Sequence, residues 1–235
     1  MVRRFRAGLA LVMVVAVIVG PGARADTPAP VFDPAQLPHV QGVVRYYTLI
    51  PHGAVDGFVL EDGTQVLTAP LFSERVVRAA IRGERVTVYG LKAASVPIVM
   101  ALAVTSDQSR EPVILGEVPL LLALGGSLPG GHGTADAHTG AVAPAAEKPV
   151  DLQGTVVRPL YGPRGFVNGA ILEDGTVLRV ASTEAARVGP LLFPGSHLSV
   201  RGVLSESAVG RLVLVEAIGK AGSSLVTLAP WDGPR

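Results

Sequence analysis

Two small all-β domains in tandem, with little helix, are what this sequence predicts, and three observations predict them. The first is a duplication: residues from Val40 recur from Leu152 at a constant offset of 112, with no gap. The second is the texture of each copy, short valine-rich segments punctuated by Pro-x-Gly and Asp-Gly turns. The third is the stretch between copies, whose second half is rich in Gly, Ala and Pro and has no periodicity. The chain has 235 residues and is 49% hydrophobic, with a mean hydropathy of +0.44. That is enough apolar matter for two cores and argues against global disorder.

The repeat is specific. Val40-Gln41-Gly42-Val43-Val44 returns as Leu152-Gln153-Gly154-Thr155-Val156, Pro51-His52-Gly53 as Pro163-Arg164-Gly165, and Val55-Asp56-Gly57 as Val167-Asn168-Gly169. Leu60-Glu61-Asp62-Gly63-Thr64 returns unchanged as Leu172-Glu173-Asp174-Gly175-Thr176. About half of the positions from Val40 to Thr64 are identical, far above chance.

Each copy reads the same way in order. Val40 to Leu49, and Leu152 to Leu160, form a first strand. The glycine early in it (Gly42, Gly154) marks a bend. Pro-x-Gly supplies the first turn, since proline presets φ and glycine admits positive φ. Val55 to Leu60 and Val167 to Leu172 are second strands. Asp62-Gly63 and Asp174-Gly175 read as two-residue type I′ turns into third strands, Thr64 to Leu67 and Thr176 to Val180. Ser73 caps a helix to Ile81 with Val76, Val77, Ala80 and Ile81 on one face. In the second copy Ser182 or Thr183 caps Glu184 to Arg187, and Gly189-Pro190 shortens that helix. Gly83 to Gly90 and Gly195 to Gly202 are fourth strands; Pro97 to Val104 and Arg211 to Ile218 are fifth strands.

The order β-β-β-α-β-β is that of the OB-fold, a small Greek-key barrel; a helix after the third strand favours it over an SH3-like barrel. The expected architecture is therefore two tandem five-stranded OB-fold-like barrels, each with a short helix between strands 3 and 4. The domains run 38–105 and 151–219. A linker spans 106–150, with an apolar first half that packs on a barrel or adds a strand, and a tail covers 220–235. The pattern Q-G-x-V, P-x-G, LEDGT and G-x-x-V-x-V-x-G resembles exported bacterial proteins with OB-fold domains that have no assigned activity. The resemblance implies a non-catalytic envelope module and carries no active site with it.

Residues 1–25 read as a secretory signal peptide: Arg3, Arg4 and Arg6 precede an apolar run, and Ala23-Arg24-Ala25 fits a cleavage site. The uncharged run from Ala7 to Ala23 is short for a membrane span, although retention as an anchor is the competing reading. The expected destination is the periplasm or the medium. Removing the four arginines of that segment takes the formal charge from +1 to −3, which gives no bulk pull on nucleic acid. The absence of cysteine excludes disulfides, thiolate catalysis and lipidation at a cysteine.

Chemistry-bearing residues are few. Tyr46, His52 and Phe58 in the first copy, with Tyr161 and Arg164 in the second, sit on or beside the face that OB barrels use for ligands. His52 and Arg164 occupy equivalent turns and suit an anion; the rings suit stacking. The second copy replaces Tyr46, Tyr47 and Phe58 by Arg158, Pro159 and Ala170, so no stacking platform is repeated and no nucleic-acid partner is expected. His132, Asp136 and His138 form H-x-x-x-D-x-H in the linker, weak candidates for metal. Glu61-Asp62 and Glu173-Asp174 are explained by their turns. The reading is a non-enzymatic exported binding module without a cofactor, holding an envelope protein, a glycan or a small ligand. A metal-handling accessory protein is the alternative.

Overall fold

The computed structural model describes residues 34–109, 111–115, 147–231 and 233. The signal segment 1–25, the glycine-rich half of the linker and the trio His132, Asp136 and His138 lie outside those residues. Both repeats belong to one compact unit.

The first barrel is built from β1 (His39–Leu49), β2 (Val55–Leu60), β3 (Gln65–Leu67), α1 (Ser73–Ala79), β4 (Arg85–Lys92) and β5 (Ile98–Ser106). β2 pairs with β1 and β3, β4 with β1 and β5, and the barrel closes through a parallel β3–β5 pairing. This is an OB barrel. A short β6 (Val113–Ile114) extends the sheet along β5, so the apolar start of the linker does add a strand. The second copy repeats the circuit with β7 (Glu147–Tyr161), β8 (Val167–Leu172), β9 (Val177–Arg179), α2 (Ala185–Val188), β10 (His197–Ser207) and β11 (Gly210–Lys220). It closes through parallel β9–β11 and gains an edge strand, β12 (Val226–Thr227). The fold class expected from the sequence is the one observed.

Several local expectations need correction. The bend in the first strand does not fall at Gly42. The register slips between Val44 and Tyr46, and again between Val156 and Arg158, so Arg45 and Val157 are the bulged residues. Gly42 and Gly154 serve close packing instead: a Cβ there would lie 2.9 Å from Leu60 Cδ1 and 2.8 Å from Leu172 Cδ1, respectively. The Asp-Gly turns are not type I′, because Asp62 and Asp174 keep negative φ and only the glycines turn positive (Gly63 +94°, Gly175 +83°). Gly63 N–H donates to Leu60 O and Leu60 N–H to Thr64 O, the pattern of a three-residue loop that ends in a glycine bulge. The Asp62 carboxylate accepts from Thr64 N at 2.8 Å and from Thr64 Oγ1 at 3.0 Å, and Asp174 does the same for Thr176. Asp, Gly and Thr are each required, which explains why the motif is unchanged between copies.

The helices end earlier and start differently from the sequence reading. Ser73 does not cap α1; its Oγ accepts Val55 N–H at 2.8 Å and ties the helix to β2. Ala80 leaves helical geometry, so Ile81 is exposed while Val76 and Ala80 are buried. α2 has four residues and continues as a 3-10 turn through Leu192, which is fully buried. The strand β7 begins at Glu147, four residues ahead of the expected domain start. Glu147 to Val150 pair with Gly202 to Ser205, so β7 and the β10–β11 hairpin project together beyond the barrel.

The two cores are not separate. Leu160, Ile171, Val177 and Leu212 of the second barrel belong to the apolar cluster centred on Phe58, Leu60 and Val66 of the first. The barrels meet through their β1–β2–β3 and β7–β8–β9 faces.

Candidate functional site

The seam between the barrels is where the chain concentrates its unusual residues, and its contacts are reciprocal. Tyr46 lies on the Asp174-Gly175 turn of the other barrel, its Cε1 3.7 Å from where a Cβ of Gly175 would be. The equivalent residue, Arg158, lies on the Asp62-Gly63 turn so closely that any Cβ at Gly63 would collide with its guanidinium. The loop after β7 meets the loop after β4, at Gly165 and Val96. The loop after β1 meets the β10–β11 hairpin, where Gly210 approaches Leu49 and Glu147 reaches His52 at 3.9 Å. These faces and loops are the ones OB barrels offer to ligands. Here each barrel occupies those of the other.

Polar contacts fasten the seam. Arg179, 2% exposed, donates from Nη2 to Asp56 Oδ2 at 2.6 Å, from Nη1 to Asn168 Oδ1 at 3.1 Å and from Nε to Leu49 O at 2.9 Å. Gln65 pairs with the backbone of Tyr161 both ways: Nε2 donates to its carbonyl at 2.9 Å and Oε1 accepts its N–H at 2.8 Å. Arg179 stands where the first copy has Leu67, and Gln65 where the second has Val177. The seam thus carries polar residues where a duplicated sequence has apolar ones.

Two clefts open along the seam. The larger, about 330 Å³, is lined by Arg45, Tyr46 and Arg82 from the first barrel and by Glu173, Asp174 and Arg211 from the second. The bulge at Arg45 lets this guanidinium fold back over the neighbouring ring, with Nε 3.0 Å from Tyr46 Oη and Cζ 5.4 Å from the ring centre. The Tyr46 contact raises the Arg45 pKa, so the side chain stays cationic. Arg82 lies 5.4 Å over the Tyr47 ring. The Tyr47 hydroxyl donates to Ala80 O at 2.9 Å, and burial raises its pKa above the ordinary tyrosine value, against the lowering effect of Arg82. Arg211 is engaged by Asp174 at 3.0 Å and by Glu206 at 3.3 Å. The smaller cleft, about 230 Å³, surrounds Asp56 and Arg179.

The five residues singled out in the sequence are dispersed. Phe58 is fully buried in the core and cannot meet a ligand. Tyr46 lines the larger cleft and Tyr161 the smaller. His52 is at an exposed loop tip with φ +66°, its Nδ1 3.9 Å from a carboxylate oxygen of Glu147. Arg164 lies on the second barrel beside exposed Phe166 and Ser182. Arg82, Arg179, Arg211, Asp56, Gln65 and Thr68 were not singled out. The signal that could have found several of them is mismatch between aligned copies: Leu67 against Arg179, Asp56 against Asn168, Gln65 against Val177 and Thr68 against Val180.

No protein-family model matches the chain, and no curated protein matches it. Among solved structures it is similar to the wild-type single-stranded DNA binding protein from Thermus aquaticus. That match has 14% identity, a TM-score of 0.24, and covers 81% of this chain and 95% of that one. A deletion mutant of the same protein matches equally, at 14% identity and TM-score 0.24 over 79% of this chain and 94% of that one. Both proteins are named for binding single-stranded DNA, which stands against the expectation of no nucleic-acid partner. That expectation leaned on net charge and unrepeated rings, and neither measures the local charge of a cleft built by two barrels.

Proposed function

We propose that this protein is a non-catalytic binding module exported to the bacterial cell envelope. It works as one two-barrel body and takes an anionic ligand in the larger seam cleft. The observation that carries the reading is the juxtaposition of Arg45, Arg82 and Arg211 around Tyr46 in a cleft that neither barrel forms alone. Asp174 offsets Arg211, and Glu173 also faces the cleft, while Arg45 and Arg82 are held by ring contacts that leave guanidinium N–H groups for an anion. The arginine-rich, apolar N-terminal segment supports export, and a carboxylated glycan is the envelope ligand that fits best.

The test is fluorescence anisotropy of the full chain with labelled polygalacturonate oligomers and, separately, labelled oligo-dT, at low and physiological salt. Saturable glycan binding should weaken about tenfold in Arg45→Ala and in Arg82→Ala, in line with loss of one charge-assisted contact. It should be unchanged in Arg201→Ala, whose side chain pairs with Asp151 outside the cleft. Tighter binding of oligo-dT through the same arginines would make the ligand a nucleic acid. No binding, or binding indifferent to both arginines, would end the reading.

A further inference from the structure

We infer that the smaller seam cavity is a second site, for a small neutral molecule with an apolar body and one hydrogen-bond donor. The cavity is independent of the arginine cleft. Leu67, Pro70 and Met100 wall it from the first barrel, and Tyr161 and Pro163 from the second. At about 230 Å³ it falls below the roughly 300 Å³ where drug-sized ligand sites begin, so its occupant is small.

Four polar side chains line this mostly apolar space: Asp56, Thr68, Asn168 and Arg179. Four atoms among them are satisfied by each other, since Arg179 donates from Nη2 to Asp56 Oδ2 and from Nη1 to Asn168 Oδ1. Two are not. Asp56 Oδ1 and Thr68 Oγ1 are buried and have no hydrogen-bond partner. The Asp56 side chain is only 10% exposed, and the Arg179 contact fixes the carboxylate with its second oxygen unanswered. A buried acceptor left so costs on the order of 1–3 kcal/mol, more when charged. The barrel itself does not require the Thr68 hydroxyl: the equivalent residue of the second copy, directly after its third strand, is the fully buried Val180. Asp56 and Arg179 cancel in charge, so the vacant acceptors favour a neutral donor over a cation. Hydroxyl or amide N–H groups meet that need, and the surrounding prolines, leucine, methionine and tyrosine suit an apolar ring or short chain.

The experiment compares phenol with toluene, which share shape and differ by one donor, on the ¹⁵N-labelled full chain. Phenol should shift the amides of Asp56, Thr68 and Arg179 saturably, and toluene should bind about tenfold more weakly. In Thr68→Val, which copies the second barrel, the preference for phenol should fall several-fold while the fold persists. Polygalacturonate binding at the arginine cleft should not change, which separates this site from that one. Met100→Trp should fill the cavity and abolish both shifts. The proposal is overturned if neither probe shifts these amides, if the two bind equally, or if Thr68→Val keeps the full preference for phenol.

Discussion

Arg179 shows how one residue changes what a repeated fold does. Leucine occupies its place in the first copy, and a guanidinium there would be an isolated buried charge without Asp56, Asn168 and Leu49 O around it. The ion pair is 2% and 10% exposed on its two sides, so removing one partner strands the other away from water. Arg179→Leu should therefore destabilise by about 3–5 kcal/mol, whereas adding Asp56→Asn to it should recover most of that loss. Urea unfolding of the four proteins of this double-mutant cycle measures it; additive losses would show that the pair is not coupled. Mismatch between copies made Arg179 legible in principle. Its partners were not legible, because Asp56 lies 123 positions away and only barrel packing brings it within reach.

Elements of this protein are held at their ends as much as along their lengths. The β1–α1 tie is an example: the Tyr47 hydroxyl crosses from the strand to Ala80 O, just past the helix. The neutral phenol donates that bond, and burial raises its pKa above 10.0 in the folded chain. The stability this group contributes is whole below about pH 10, the unfolded value, and is lost as pH rises through the higher folded one. Between pH 8 and about 11.5 the wild type should lose more of its urea midpoint than Tyr47→Phe does. Equal losses would place the alkaline sensitivity elsewhere. Strand positions were legible to within a few residues because valine alternation and turn residues are local signals. Helix capping by Ser73 and the type I′ turns were misread for the complementary reason: the same residues satisfy other groups, Val55 N–H and Thr64, that a composition rule does not name.

At the scale of the molecule, the two barrels behave as halves of one body. The shared apolar cluster, the reciprocal turn contacts and the Gln65–Tyr161 and Arg179–Asp56 bonds all cross the seam. Residues 34–115 and 147–233 produced as separate chains should therefore associate one to one and co-elute in size exclusion. Arg179→Ala should weaken that association. Independent elution of folded halves would contradict a common core. The OB ligand faces being mutually covered also predicts that neither half alone reproduces glycan binding, since Arg211 and Arg45 come from different barrels.

The sequence by itself determined the duplication, the strand order and hence the barrel, because those follow from short-range periodicity and turn chemistry written twice. It also marked Tyr46 and Tyr161, though not what they face. Only the tertiary structure decided that the expected ligand faces are an interface, that Phe58 is core, and that arginines from both copies line one cleft. Burial and charge juxtaposition are properties of which surfaces meet, and residues more than a hundred positions apart leave no local trace of that meeting.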